Sequence, residues 1–182
     1  MGYTTDFEGK FDLNKRLKRK HALYLEAFAN IRHMKRDNSK LETYEDPIRK
    51  AVGLGLGVDG EYYVGSYSNA NSSSNAYRGQ GDDDSIIAYN YQGGNCPSLW
   101  CQWIPSEDHK GIEWDGNEKF YCYVEWLEYI ISNFLKPWGY KLNGEVKYQG
   151  EDDDDCGKIV VKDNVVEHYE GIKEITYRKV EK

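Results

Sequence analysis

The sequence predicts an α+β protein: a largely antiparallel sheet with two main helices on one face. Three observations lead there. Apolar residues recur at helical spacing through 115–136 and again through 15–35. Alternating β-forming runs precede, separate and follow those stripes. A tight turn signal, Asp163-Asn164, joins two short apolar runs near the end. The expected topology is a ferredoxin-like β-α-β-β-α-β core, elaborated by an inserted loop region over 36–96 and a C-terminal β-hairpin. The whole chain, 1–182, reads as a single domain.

In order, residues 3–12 alternate, with Tyr3, Thr5, Phe7 and Phe11 toward the core and Gly9 at a bulge or bend. Asn14 is the expected N-cap of a helix over 15–35, whose stripe is Leu17, Tyr24, Leu25, Phe28 and Ile31. His21 lies beside that stripe and reads as a partly buried structural histidine. Asp46 followed by Pro47 predicts a short helix over 47–52. Asp59-Gly60 predicts a turn into a strand over 61–64. Gly53, Gly55 and Gly57 lack the preceding strand and following helix of a phosphate loop. Residues 65–85 are rich in Ser, Asn and Gly and read as a mobile loop. Asp82 to Asp84 lack the closing Glu of a calcium loop.

Residues 86–91 predict a short strand, and 99–104 with 112–114 a hairpin. Asp115 and Glu118 stand at capping-box spacing for the second main helix. Phe120, Val124, Leu127, Ile131 and Phe134 form its stripe, and Pro137 ends it. Strands follow over 140–149, 158–161 and 165–169, with a last edge strand over 172–180.

Composition sets the function classes. Aromatic content is 14%, with 16 Tyr and 5 Trp, which suits half-buried sheet faces and interaction surfaces. No apolar run approaches the length of a membrane span and no leader is expected, so the reading is a cytoplasmic protein without membrane contact. The 4 cysteines form no CxxC pair and no ligand-spaced Cys/His set, so no metal and no cofactor are expected. The net charge of −7 is unevenly spread: residues 10–50 hold 12 Lys/Arg against 6 Asp/Glu, and 51–182 hold 12 against 23. A solvated basic helix explains this, and a polyanion-facing patch is the sharper alternative. Direct nucleic-acid binding is not expected, because the aromatic interleaving of a single-strand binder is missing.

The opening MGYTTDFEGKFDLNK, the block LWCQWIPSED with IEWDGNEKFYCYVEWLEYII, and PWGYKLNGEV, QGEDDDD and GKIVVKDN together resemble a family of small uncharacterised proteins. Its members occur in T-even-type bacteriophages and scattered bacteria. The resemblance spans most of the chain, departing at YQGGNC, where a proline-containing turn is expected, and in the Ser/Asn insertion at 66–80. It implies an accessory role and brings no catalytic residue.

Candidate sites come from residue chemistry. Carboxylate catalysis needs two acids converging in a cleft, and Glu113 and Asp152 are the candidates, drawn from Glu107, Asp108, Glu113, Asp115 and the run 151–155. His21, His33, His109 and His168 fall in no nucleophile motif, and Cys101 and Cys122 read as buried and inert. Trp100 and Trp103, on opposite faces of one strand, offer a binding surface rimmed by Glu107 and Asp108. The leading expectation is a non-enzymatic binding protein that acts on a host or partner protein or sequesters a small ligand. A hydrolase or transferase using the carboxylates, and an acidic DNA mimic, are the alternatives.

Overall fold

The computed structural model describes residues 2–65, 84–172 and 178. Most of the anticipated mobile loop at 65–85, including Asp82 and Asp83, and most of the anticipated last strand at 172–180 lie outside them. The fold is α+β. Strand β1 (Thr5–Leu13) pairs along its whole length with β6 (Leu142–Gly150), and on its other side with β5 (Gly111–Trp114). With β4 (Trp103–Pro105), β7 (Cys156–Lys162) and β8 (Val165–Glu170), these build a six-stranded sheet in the order β4-β5-β1-β6-β7-β8.

Every pairing in this sheet is antiparallel. A ferredoxin-like core is antiparallel throughout with its four strands in the order 4-1-3-2, and β6-β1-β5-β4 takes that order, with the β7–β8 hairpin added beyond β6 as expected. Here β4–β5 and β6–β7–β8 are local hairpins, and β1 joins the two groups. Strand β3 (Ile86–Gln92) does not enter the main sheet; it pairs with β2 (Met34–Arg36) in a separate two-stranded ribbon.

One sheet face is apolar by simple alternation: Phe11, Leu13, Leu142, Val146, Tyr148, Ile159 and Val161 are buried, while Lys10, Asp12, Glu145 and Lys147 between them are exposed. Both main helices cover the apolar face. Helix α1 (Arg19–Ala29) contributes Tyr24, Leu25 and Phe28, and α4 (Tyr123–Ile130) contributes Trp126, Leu127 and Ile130. Each such side chain stabilises the fold by roughly 1.5–3 kcal/mol through removal from water.

The helix starts differ from expectation. Asn14 does not cap α1; its amide and side chain tie to Lys141 across the entry to β6, at 2.9 Å each. The cap position falls on Lys18, whose side chain makes no capping bond, and Leu17 and Ile31 are buried just outside the helix. Asp115 is likewise not the cap of α4. Its carboxylate turns back to the Asn117 amide at 2.9 Å, closing an Asx turn, and α4 begins only after Cys122, which is left-handed with φ of 55°. Phe120 is therefore buried ahead of the helix, and Val124 is only half-buried.

The last turn of α4 widens into a π-helical turn over Ile131–Leu135, marked by the Lys136 amide bonding to the Ile131 carbonyl at 2.9 Å. Phe134 and Leu135 are both fully buried there. Two short helices lie between β2 and β3. Helix α2 spans Asn38–Leu41 and α3 spans Pro47–Val52, the latter with Asp46 as cap, Pro47 at its first position and left-handed Gly53 after it. Residues 61–64 form no strand; a 3-10 turn at Val58–Gly60 feeds an irregular segment that buries Tyr63 and Val64.

Candidate functional site

A groove of about 610 Å³ lies where the end of α1, the segment 97–102 and the segment 115–121 meet. Leu99, Trp100 and Cys101 form one side, and Asp115, Asn117, Glu118, Lys119 and Tyr121 the other. Gln102 staples these sides together. Its amide nitrogen donates to the Glu118 carbonyl at 2.9 Å, its amide oxygen accepts from Trp114 Nε1 at 3.0 Å, and its carbonyl accepts from the Asp115 amide at 3.0 Å. Ser98 fixes the other end, accepting from Trp126 Nε1 at 2.7 Å and donating to the Trp100 carbonyl at 3.2 Å. The walls are thus hydrogen-bonded to the core and held in place before anything binds.

Three side chains give the groove its chemistry. Trp100 is half-buried and lines the groove. Arg32 stacks its guanidinium 4.4 Å above the Tyr89 ring and 5.8 Å from that of Trp100. Its fork is already engaged, donating to the Tyr89 carbonyl and to Asn90 Oδ1 at 3.1 Å each. Asp115 sits on the opposite wall, where partial burial pushes its carboxyl above the usual range although Asn117 donates to both of its oxygens.

Of the residues singled out from sequence, Trp100 lies in this groove; Trp103, Glu107 and Asp108 do not. The strand holding Trp103 begins at Trp103 itself, so the two tryptophans do not alternate on one strand. Trp103 is buried, and its Nε1 donates to the Tyr123 carbonyl at 2.8 Å. Glu107 and Asp108 occupy the β4–β5 turn. There the Lys110 amide and Ser106 hydroxyl, bonded at 3.0 and 2.7 Å, hold the Asp108 carboxyl below its ordinary range.

Glu113 and Asp152 are not brought together. Glu113 follows Ile112, which faces Phe11, and Asp152 lies beyond Gly150, which faces Thr5. Six residue steps of β1 separate Phe11 from Thr5, roughly 20 Å at strand spacing. Glu113 also points away from the core face that Ile112 occupies.

Burial lowers His33 to about 3 and His21 to about 4. His21 stacks on Trp138 at 4.1 Å and meets the Tyr140 hydroxyl at 2.9 Å, which is the structural role anticipated for it. His168 meets the Tyr148 hydroxyl at 2.8 Å. Burial pushes the Cys96 thiol up to about 12 and Cys101 higher still. Cys122, anticipated inside a helix, is instead exposed at its start. Among the described residues, no group of three or more His, Cys, Asp or Glu is placed to hold a metal ion. No described helix is long and apolar enough to cross a membrane.

Sequence reasoning missed Arg32 and Gln102. Arg32 sits in a basic run that looks like any solvated patch, whereas Gln102, a lone amide inside the aromatic run LWCQWI, carried a usable signal. Comparison with known protein families, with curated proteins and with solved structures finds no match to this chain.

Proposed function

We propose that this is a non-enzymatic binding protein, with an accessory role in phage or bacteria, that sequesters a small ring-bearing ligand carrying a protonated amine. The observation that carries the reading is the groove at 97–102 and 115–121. Its volume falls in the range of small-ligand sites, its walls are stapled by Gln102, and it pairs a half-buried Trp100 with a desolvated carboxylate. A ring lying against Trp100 would gain aromatic contact. An amine on that ring would reach Asp115, whose two oxygens each keep a free lone pair after bonding Asn117. Arg32, bonded to Tyr89 and Asn90, supports the tryptophan wall.

The test is a titration of the full chain with tryptamine and, separately, indole-3-acetate, followed by amide chemical shifts. Tryptamine should shift the resonances of 97–102 and 115–121, and Asp115→Asn should weaken its binding about 10-fold. Indole-3-acetate should bind more weakly. Equal binding of the two, or shifts confined to other regions, would remove the basis of the proposal.

A further inference from the structure

Strand β1 separates two electrical poles. At its Leu13 end lie Lys15, Arg16, Lys18, Arg19 and Lys20, all exposed. At its Thr5 end, past Gly150, lies the acidic turn 151–155. Eight residue steps of β1 set these ends roughly 26 Å apart at strand spacing. That is several times the screening length of about 8 Å at physiological salt, so a polyanion at the basic end does not feel the acidic turn.

The basic end is also left unneutralised. Among the described residues, no carboxylate lies within ion-pair distance of any of its five cations. The acids nearest to it are otherwise engaged: Asp12 with Lys10, Asp163 with Lys141, and Asp108 within its own turn. Glu107, at the tip of that turn, is the exception and is exposed. Lys15 is held in place over the Tyr140 ring, with its Nζ 5.0 Å from the centroid. Lys18 is positioned through its amide, which donates to the Tyr140 hydroxyl at 3.0 Å.

We propose that this corner binds the phosphate backbone of double-stranded nucleic acid without reading its sequence. The charge segregation carries the proposal, and two further observations choose the partner. Trp138, the half-buried tryptophan near this end, stacks on His21 at 4.1 Å and on Phe134 at 5.6 Å. Its rings are occupied within the protein, so no platform for unpaired bases is offered, and backbone contact is what remains. Membrane surfaces favour basic patches that also insert several apolar side chains, whereas here Leu23, beside Arg19 and Lys20 on α1, is a single side chain only 39% exposed, and Val165 lies on β8. The absence of base-stacking aromatics from the basic run disfavours single strands and leaves duplex binding open.

The experiment is fluorescence anisotropy of the full chain with a labelled mixed-sequence DNA duplex of about 20 base pairs. With about four or five phosphates neutralised, raising salt from about 50 to about 200 mM should lower affinity roughly 100- to 500-fold. Lys15→Glu, Lys18→Glu and Arg19→Glu combined should abolish binding at the lower salt. The corresponding glutamine triple variant should show a shallower salt dependence. Both variants change only exposed side chains, and an unchanged circular dichroism spectrum confirms folding. Duplex affinity that ignores salt, survives the charge reversal, or falls below affinity for a single strand would overturn the proposal. So would binding to phosphatidylserine vesicles without binding to duplex.

Discussion

Acidification from pH 6.5 to pH 5 should destabilise this protein, and His33 should account for much of the loss. The ring is 4% exposed, wedged against Phe28 at 4.2 Å and Trp126 at 4.9 Å, and its Nε2 finds no hydrogen-bond partner among the described residues. Burial holds the folded pKa near 3, against about 6.5 for the free side chain. In the unfolded chain this histidine takes up a proton as pH falls through 6.5, while in the fold it stays neutral until near pH 3. Stability from this group is therefore complete above pH 6.5 and declines as pH drops between the two values. The loss by pH 5 is about 2 kcal/mol from His33. His21, lowered to about 4, acts in the same direction.

The assay is urea unfolding at pH 7, 6 and 5 for the wild type and His33→Phe. Phenylalanine keeps the stacking and removes the proton linkage, so the variant should show a clearly flatter pH dependence. Identical pH slopes for the two proteins would refute the reasoning.

Two further outcomes follow from buried groups. Asp46 is fully buried, and its carboxylate accepts from the Arg49 amide at 2.8 Å and the Val64 amide at 3.3 Å. Asp46→Ala should cost about 2–3 kcal/mol, lowering Tm by roughly 5–10 °C in calorimetry, and Asp46→Asn should recover most of it by keeping an acceptor. In thiol labelling of the native protein, exposed Cys122 should react first, while Cys96 and Cys101 react only after denaturant is added. Mass spectrometry of the labelled peptides reads both.

What the sequence revealed depended on how local the signal was. Helix α3 was legible to the residue because Asp46, Pro47 and Gly53 each act on their own neighbours. The β4–β5 and β7–β8 hairpins were legible for the same reason. The start of α4 was not. Asp115 and Glu118 have capping-box spacing, but Asn117 satisfies the aspartate first and the chain runs on to bury Phe120. Strand order was legible from the succession of elements, because a strand-helix-strand-strand-helix-strand run closes with its last strand beside its first, as β6 lies beside β1 across more than a hundred residues. The groove lay between these cases. Trp100 stood out by composition, yet its partners Arg32, Gln102 and Asp115 come from separate segments that meet only after α1 has packed onto the sheet.

The widened turn at Ile131–Leu135 makes the join between α4 and β6 intolerant of length change. Deleting Ser132 would restore a regular helical ladder, yet each residue lost swings everything downstream by about 100° around the axis. Trp138 and Tyr140 would then leave His21, and the β6 edge that Asn14 grips would slip out of phase with β1. Variation in this stretch should run through substitution, with the residue count between Trp126 and Leu142 held constant.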